Sequence, residues 1–220
     1  MTAKTWNILG IVAAALVIVG ITVALVVRPW EQPTAAAPAE DLSAADTLDD
    51  STHVLDDAGE GAPVVVEFLD FECPPCGAFH PIVDDLRETY DGEITYVVRH
   101  FPLPIHVNAT PAALAAEAAA QQDRFEDMYD RLFETQGQWA GAERETPEVF
   151  RSLAEELGLD MAEYDAAIAD PTTLTRIEQD KTEGAALGVQ STPSFFLDGE
   201  LLELTAWGDL EAAIEKAVNG

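Results

Sequence analysis

The chain has 220 residues, of which 48% are hydrophobic, and a net charge of −30. It is long enough for one medium-sized domain with its own core, together with further segments. All 41 acidic residues follow Arg28. A surface this negative repels nucleic acid and anionic lipid, which argues against a nucleic-acid-binding role.

Residues 1–28 are predicted to be a membrane anchor. Trp6–Val27 carries no charge, and as a helix it spans roughly 33 Å, enough for a hydrocarbon core of about 30 Å. The alternative is a cleaved signal peptide, for which residues 37–39 offer a small-residue pattern, but secretory apolar regions usually run only about 7–15 residues. The positive charge of Lys4 favours a cytoplasmic N-terminus and a domain outside the cell.

Residues 29–52 are rich in Ala, Pro, Asp and Glu, a composition that predicts a disordered tether. The folded domain is predicted over residues 53–220. Its first strand is Ala62–Asp70, an apolar and β-branched run, and a helix follows it up to about Tyr90. A second strand is predicted at Ile94–Phe101. Strand, helix and strand within about forty residues form a βαβ unit, so the two strands should be parallel.

Residues 108–187 are predicted to form an all-helical insert of four or five helices without a strand, because apolar residues repeat there at helical spacing. Strands return at Ser194–Leu197, and Asp198-Gly199 predicts a hairpin turn into Leu201–Leu204. A final helix is predicted from Asp209. The domain is therefore α/β, with a sheet that is split around the insert.

Cys73 and Cys76 are the only cysteines. A disulfide that encloses two residues adds little stability. A metal site with His80 lacks a fourth ligand, since the spacing of His100 and His106 implicates neither, and we assign both to a loop. Redox catalysis is favoured. At the N-cap of a helix, Cys73 would be an exposed nucleophile with a stabilised thiolate, and Cys76 would attack the mixed disulfide and release the substrate.

The stretch VVVEFLDFECPPC, the helical insert and the stretch GVQSTPSFFLDGE together resemble the DsbA-like branch of the thioredoxin superfamily, particularly its membrane-anchored Gram-positive members. The resemblance covers roughly His53–Asn219. It implies a thioredoxin-like fold, in which helices flank a central mixed sheet. It also maps the nucleophile onto Cys73 and the resolving cysteine onto Cys76, in a redox motif completed by Pro74 and Pro75.

The same resemblance gives roles to two further sites. It maps a Thr-Pro pair onto Thr192 and Pro193, with Pro193 in cis and the Thr192 backbone ready to pair with a substrate peptide. An ordinary proline at the start of a strand is the alternative. It also implies that Glu67 is a buried acid with a raised pKa that exchanges protons with Cys76. A strand-edge glutamate facing water is the alternative there.

The motif departs from the family pattern at Pro75, where strongly oxidising members often carry histidine. Pro74 and Pro75 remove amide donors near Cys73, and the acidic neighbours Asp70 and Glu72 also oppose a thiolate. A less stabilised thiolate makes a pair less oxidising. We therefore expect a reduction potential between those of thioredoxin and of the strongest DsbA oxidants.

The sequence thus predicts an extracytoplasmic thiol-disulfide oxidoreductase that introduces disulfides into secreted or surface proteins. We expect a monomer whose redox group is the cysteine pair, without a metal, flavin or nucleotide cofactor. The resemblance implies that a membrane partner of the DsbB or VKOR type reoxidises the pair. Two alternatives stay open: a reductase or isomerase that uses the same pair, and a redox-inert peptide-binding or chaperone-like module, which would need neither thiol.

Overall fold

The structure is a computed structural model that describes residues 52–220. Its strands are β1 (His53–Asp56), β2 (Val64–Leu69), β3 (Thr95–His100), β4 (Ser194–Leu197) and β5 (Glu200–Leu201). They form one sheet in the order β1-β3-β2-β4-β5. β2 and β3 are parallel, and the other neighbouring strands pair antiparallel. The sheet is therefore mixed, with β2 at its centre.

The helices that the structure describes are α1 (Pro74–Thr89), α2 (Ala109–Ala120), α3 (Phe125–Glu134), α4 (Gln136–Trp139), α5 (Pro147–Glu156), α6 (Met161–Ala169), α7 (Pro171–Ala186) and α8 (Asp209–Asn219). Helix α1 connects the parallel strands β2 and β3, which confirms the predicted βαβ unit. The insert is all-helical, and its bounds are close to the predicted ones. It contains six helices, and the additional one is α4, a single turn too short to give an apolar repeat.

Strand β2 is buried on both faces, since all six of its residues are buried. Val65 and Leu69 pack in the larger core cluster, together with residues of α1, α8 and the insert. Val66 and Phe68 pack in a second cluster on the opposite face of the sheet. Alternate side chains of one strand therefore join two cores, and this fixes the register of β2.

The two edge strands differ from the sequence predictions. Strand β1 was not predicted, because its four residues carry no repeated apolar alternation. The hairpin turn is present, with Asp198 at φ 52° and Gly199 at φ 84°. Strand β5 is shorter than the predicted Leu201–Leu204, since only Glu200 and Leu201 pair with β4.

Within residues 52–220, no helix combines the length and the apolar character needed to cross a membrane. The predicted membrane helix at residues 6–27 and the tether up to residue 51 lie outside the described residues. Both therefore stay predictions.

A buried ion pair ties helix α7 to strand β3. Arg99 is 2% exposed and Asp180 is fully buried. The Nε of Arg99 donates to Oδ1 of Asp180 at 2.7 Å, and the other carboxylate oxygen accepts from the His100 amide at 3.0 Å. Arg176 pairs with the same carboxylate at 2.6 Å. The insert is thus joined to the sheet next to the loop that follows β3.

Replacing Asp180 with alanine should lower the free energy of unfolding by about 3–5 kcal/mol, because it leaves the buried Arg99 charge without this partner. Urea denaturation measures the loss. Asp165→Ala is the matched control, since it removes an exposed partner of Arg151 on the neighbouring helix α6, and exposed pairs add little stability. Equal shifts of the two unfolding midpoints would contradict the prediction.

Candidate active site

Cys73 stands where the central strand gives way to a helix. It is the N-cap of α1, with extended backbone angles of φ −70° and ψ 120°, and prolines follow it in the first turn. Cys73 and Cys76 are both free thiols. Cys73 is only 5% exposed and Cys76 only 1%. The nucleophile is therefore less exposed than the sequence predicted, because the surrounding loops cover it.

The two thiols have opposite acidities. A hydrogen bond from the Cys76 thiol lowers the pKa of Cys73 to about 6, against the opposing effect of burial. Burial raises the pKa of Cys76 well above its usual value. At neutral pH, Cys73 is therefore the thiolate and Cys76 the thiol, which is the division of roles that a nucleophile and a resolving cysteine need.

The loop before β4 faces the Cys73 sulfur. The peptide bond between Thr192 and Pro193 is cis, and the Sγ of Cys73 lies 3.3 Å from the Thr192 carbonyl oxygen. The Thr192 hydroxyl is buried and has no hydrogen-bond partner among the described residues. The contact with Thr192 helps to lower the pKa of Cys73. The structure thus brings together the cysteine motif and the Thr-Pro pair, which are far apart in sequence.

A groove of about 750 Å³ opens beside Pro193. The side chains of Phe79, Phe195 and Trp207 contribute to its wall. The rings of Phe79 and Trp207 lie 4.7 Å apart between centroids, and Trp207 is 54% exposed. Serine and glutamate residues share the lining with these aromatic rings, and Pro193 joins the groove to the loop that faces the Cys73 sulfur. A groove of this kind can hold an extended peptide with both apolar and polar side chains.

Glu67 is buried beneath the cysteines. It is 2% exposed and lies on β2 between strands β3 and β4. The Tyr96 hydroxyl donates to its Oε2 at 2.7 Å. Burial raises the pKa of Glu67 to about 7, although the Tyr96 bond opposes the shift. Its charge also raises the pKa of Cys76. Glu67 is therefore not the water-facing, strand-edge residue that the sequence left as an alternative.

The acidic residues before Cys73 fasten the surrounding loops. Asp70 accepts hydrogen bonds from the amides of Glu72 and Leu103, and its charge raises the pKa of Cys73, as the sequence predicted. Glu72 accepts from the amides of Asn108 and Gly141, the latter at 2.8 Å. The carboxylates thus join the motif to the loop after β3 and to the insert.

Gln136 is a site residue that sequence reasoning missed. From α4, its Nε2 donates to the carbonyl oxygens of Phe71 at 2.7 Å and Cys73 at 3.0 Å. Gly77 gives it room, since a Cβ at that position would lie 2.3 Å from the Gln136 Oε1. No local sequence pattern links residues so far apart along the chain.

The histidines do not form a metal site with the cysteines. The two ring nitrogens of His80 face Asp84 at 3.4 Å and Asp130 at 3.2 Å. His53 and His100 form a separate cluster around Glu117, whose Oε1 lies 2.7 and 2.8 Å from their Nε2 atoms. The ligand atoms of this cluster are thus already engaged with each other.

The curated relatives of this chain include Na(+)/H(+) antiporters. Over 138 residues, the chain is 38% identical to the Na(+)/H(+) antiporter NhaA of Herminiimonas arsenicoxydans. It is 41% identical over 140 residues to NhaA 3 of Salinispora tropica. Each match takes 63% of this chain but only 20–21% of the antiporter. The chain spans about a fifth of the length of these relatives, so the similarity concerns one segment of each.

Several solved structures share the fold. A thioredoxin-like oxidoreductase from Silicibacter pomeroyi has a TM-score of 0.65 and 27% identity, over 78% of this chain and 95% of that one. α-DsbA1 from Wolbachia pipientis has a TM-score of 0.69 and 20% identity, over 80% and 96%. BdbD from Bacillus subtilis has a TM-score of 0.66 and 24% identity, over 77% and 94%. The last two show the fold alone.

The family profile described as thioredoxin matches residues 59–216. This range runs from the segment before β2 into α8 and so includes the cysteine motif, the insert and the cis-proline loop. The chain therefore belongs to the thioredoxin family and has the fold of its DsbA-like members.

Proposed function

We propose that this protein is an extracytoplasmic thiol-disulfide oxidoreductase that introduces disulfides into reduced secreted or surface proteins. The observation that carries the proposal is the position of Cys73. Its sulfur lies 3.3 Å from the carbonyl oxygen of Thr192, the residue before the Pro193 that lines the groove, while Cys76 is buried behind it. A client peptide in this groove would bring its own cysteine to Cys73 and leave Cys76 shielded.

The oxidised protein would act in two steps. A client thiolate attacks the Cys73 sulfur, the bond between Cys73 and Cys76 breaks, and Cys76 leaves and takes up a proton. A second client thiolate then attacks the client sulfur of the mixed disulfide, and Cys73 leaves as a thiolate. Two electrons pass from the client thiols to the cysteine pair. A leaving thiol with a pKa of about 6 favours the second step.

Glu67 would exchange the proton of Cys76. With a pKa of about 7, it can give or accept a proton near neutral pH. It lies close enough to Cys76 to raise the pKa of that thiol. Cys76 itself is almost fully buried, so a buried acid is a more direct proton donor than bulk water.

The predicted anchor at residues 6–27 and the charge of Lys4 support a location in the cell membrane with the domain outside. A disulfide donor must be reoxidised, and the family resemblance supports a membrane partner of the DsbB or VKOR type. The groove beside Pro193 supports protein clients, because an extended peptide can lie in such a groove. The redox group would be the cysteine pair itself.

The reduction potential tests the direction of the reaction. Equilibration of the full-length chain with glutathione buffers should give a value of about −200 mV or above, clearly more oxidising than the roughly −270 mV of thioredoxin. The Asp70 charge, which raises the pKa of Cys73, should keep it below the strongest DsbA oxidants. A value close to that of thioredoxin would instead favour a reductase that uses the same pair.

Serine variants separate catalysis from binding. Cys76→Ser should accumulate a mixed disulfide between Cys73 and a client peptide that is supplied as its glutathione disulfide, because Cys73 displaces glutathione and the resolving thiol is missing. Cys73→Ser with Cys76→Ser should lose client oxidation completely while its unfolding midpoint stays near that of the wild type. Mass spectrometry detects the adduct, and the loss of free thiols from the client measures oxidation. Client binding that is unchanged in the double variant, with no client oxidation by either protein, would identify a redox-inert binding module.

Glu67→Gln tests the proton exchange at Cys76. In wild type, the rate at which Cys76 displaces glutathione from a mixed disulfide on Cys73 should rise with pH through about 7, because only ionised Glu67 can accept the Cys76 proton. The variant should lose this rise and be slower by about 100-fold above pH 7. Glu88→Gln, at an exposed acid of helix α1, which carries Cys76, is the control. An unchanged profile in Glu67→Gln would remove Glu67 from the mechanism.

A further inference from the structure

The chain segment around the nucleophile supplies negative charge only. Asp70 and Glu72 precede Cys73, and Pro74 and Pro75 follow it. Asp70 is fully buried at its side chain, and its charge raises the pKa of Cys73. A thiolate at Cys73 therefore forms beside a buried carboxylate, and this arrangement is unfavourable unless a cation compensates it.

A histidine from the loop after β3 lies against this carboxylate. The Nδ1 of His106 lies 2.6 Å from the Oδ2 of Asp70, and its side chain is 18% exposed. The same oxygen accepts from the Leu103 amide at 2.9 Å, so two contacts hold the loop against Asp70. The imidazole has solvent access for its protons, while its partner carboxylate has none.

His106 also interacts with the cysteine. Burial by itself would lower the pKa of His106, but the hydrogen bond and charge of Asp70 raise it, with a further contribution from the charge of Cys73. The Cys73 amide donates to the Asp70 carbonyl oxygen at 3.0 Å, so the residue that holds His106 also belongs to the turn that carries the cysteine. In this chain, residues 36 positions apart meet at Asp70 and His106.

We propose that His106, held by Asp70, is the counter-charge of the reduced Cys73 thiolate and that it takes up a proton when the disulfide is reduced. The inference rests on the proposed function only in taking Cys73 as the nucleophile. His106 is thus a positioning residue, because it acts on the charge of Cys73 and does not itself form or break a bond to sulfur.

The charged and polar groups around His106 and Cys73 come from three parts of the chain. Asp70 and Glu72, at the end of β2, both raise the pKa of His106. Cys76, on α1, donates a hydrogen bond that stabilises the Cys73 thiolate, and Glu67, on β2, acts on Cys76. Thr192, in the cis-proline loop, contributes neutral groups. Of these groups, His106 is the one that can carry positive charge.

The proton balance of the reaction follows. When a client dithiol reduces the protein, two electrons pass to the cysteine pair and the client thiols release two protons. One proton goes to Cys76. The other proton goes to His106 if its imidazole is neutral, or to solvent if that imidazole is already protonated. Below the pKa of His106 the cation stabilises the reduced form, and this stabilisation is lost as the pH rises through that pKa.

The test measures the pKa values of His106 and Cys73 in the full-length chain. The ring signal of His106, identified by its loss in His106→Gln, is titrated by NMR in the oxidised and reduced forms. Its pKa should be higher in the reduced form. In His106→Gln, the pKa of Cys73, followed by thiolate absorbance, should rise by about one unit.

The redox equilibrium gives a second reading. In His106→Gln, the equilibrium constant for reduction by glutathione at pH 6.5, near the pKa of histidine, should fall by about threefold, equivalent to about 15 mV, because the thiol with the raised pKa is largely protonated at that pH. His106→Lys, which keeps a positive charge, should restore most of it. His53→Gln, which removes another histidine that is bonded to a carboxylate, should change neither reading.

Equal His106 pKa values in the two redox forms, or an unchanged Cys73 pKa in His106→Gln, would overturn the proposal. So would a failure of His106→Lys to restore the equilibrium while its unfolding midpoint matches that of His106→Gln. Both readings are made without a client or a membrane partner. This inference can therefore fail while client oxidation is observed, and it can hold if the pair proves to be a reductase.

Discussion

The central position of β2 is the constraint on which the site depends. Its register places Glu67 opposite Val98 on one neighbour and Phe195 on the other, and both of its faces are buried. Because the strand cannot shift without exposing apolar side chains, its end is fixed as well. The residues from Asp70 to Cys73 therefore leave the sheet at one defined point. The buried acid Glu67 and the nucleophile Cys73 therefore belong to the same rigid segment.

The contrast between the two thiols arises from three-dimensional packing. Cys73 and Cys76 are one helical turn apart, yet one pKa is lowered and the other raised. Cys76 is buried next to Glu67, whereas Cys73 accepts a hydrogen bond from Cys76 and lies against Thr192, and both neighbours lower its pKa. The negative neighbours in the chain would alone oppose a thiolate at Cys73. The reactivity of the motif is therefore set as much by what folds against it as by its own four residues.

Local patterns allowed part of this structure to be predicted. The βαβ unit, the helix start at Cys73 and the Asp198-Gly199 turn each rest on residues that are close in sequence. Contacts with Gln136 and His106 could not be predicted, because they join segments 36 to 65 residues apart without any periodic signal. The low exposure of Cys73 has the same origin, since distant loops cover it. Strand β1 was missed because an edge strand of four residues leaves too short a pattern.

The contact between Gly77 and Gln136 has a consequence for protein engineering. The amide of Gln136 holds two carbonyl oxygens of the segment that carries Cys73, and this amide fits only because position 77 has no side chain. An alanine there would meet the flexible end of Gln136 and push it away, which would release both carbonyl groups. A redox helix grafted from this protein onto a smaller scaffold would lose the same support. The motif is portable only together with the single helical turn that carries Gln136.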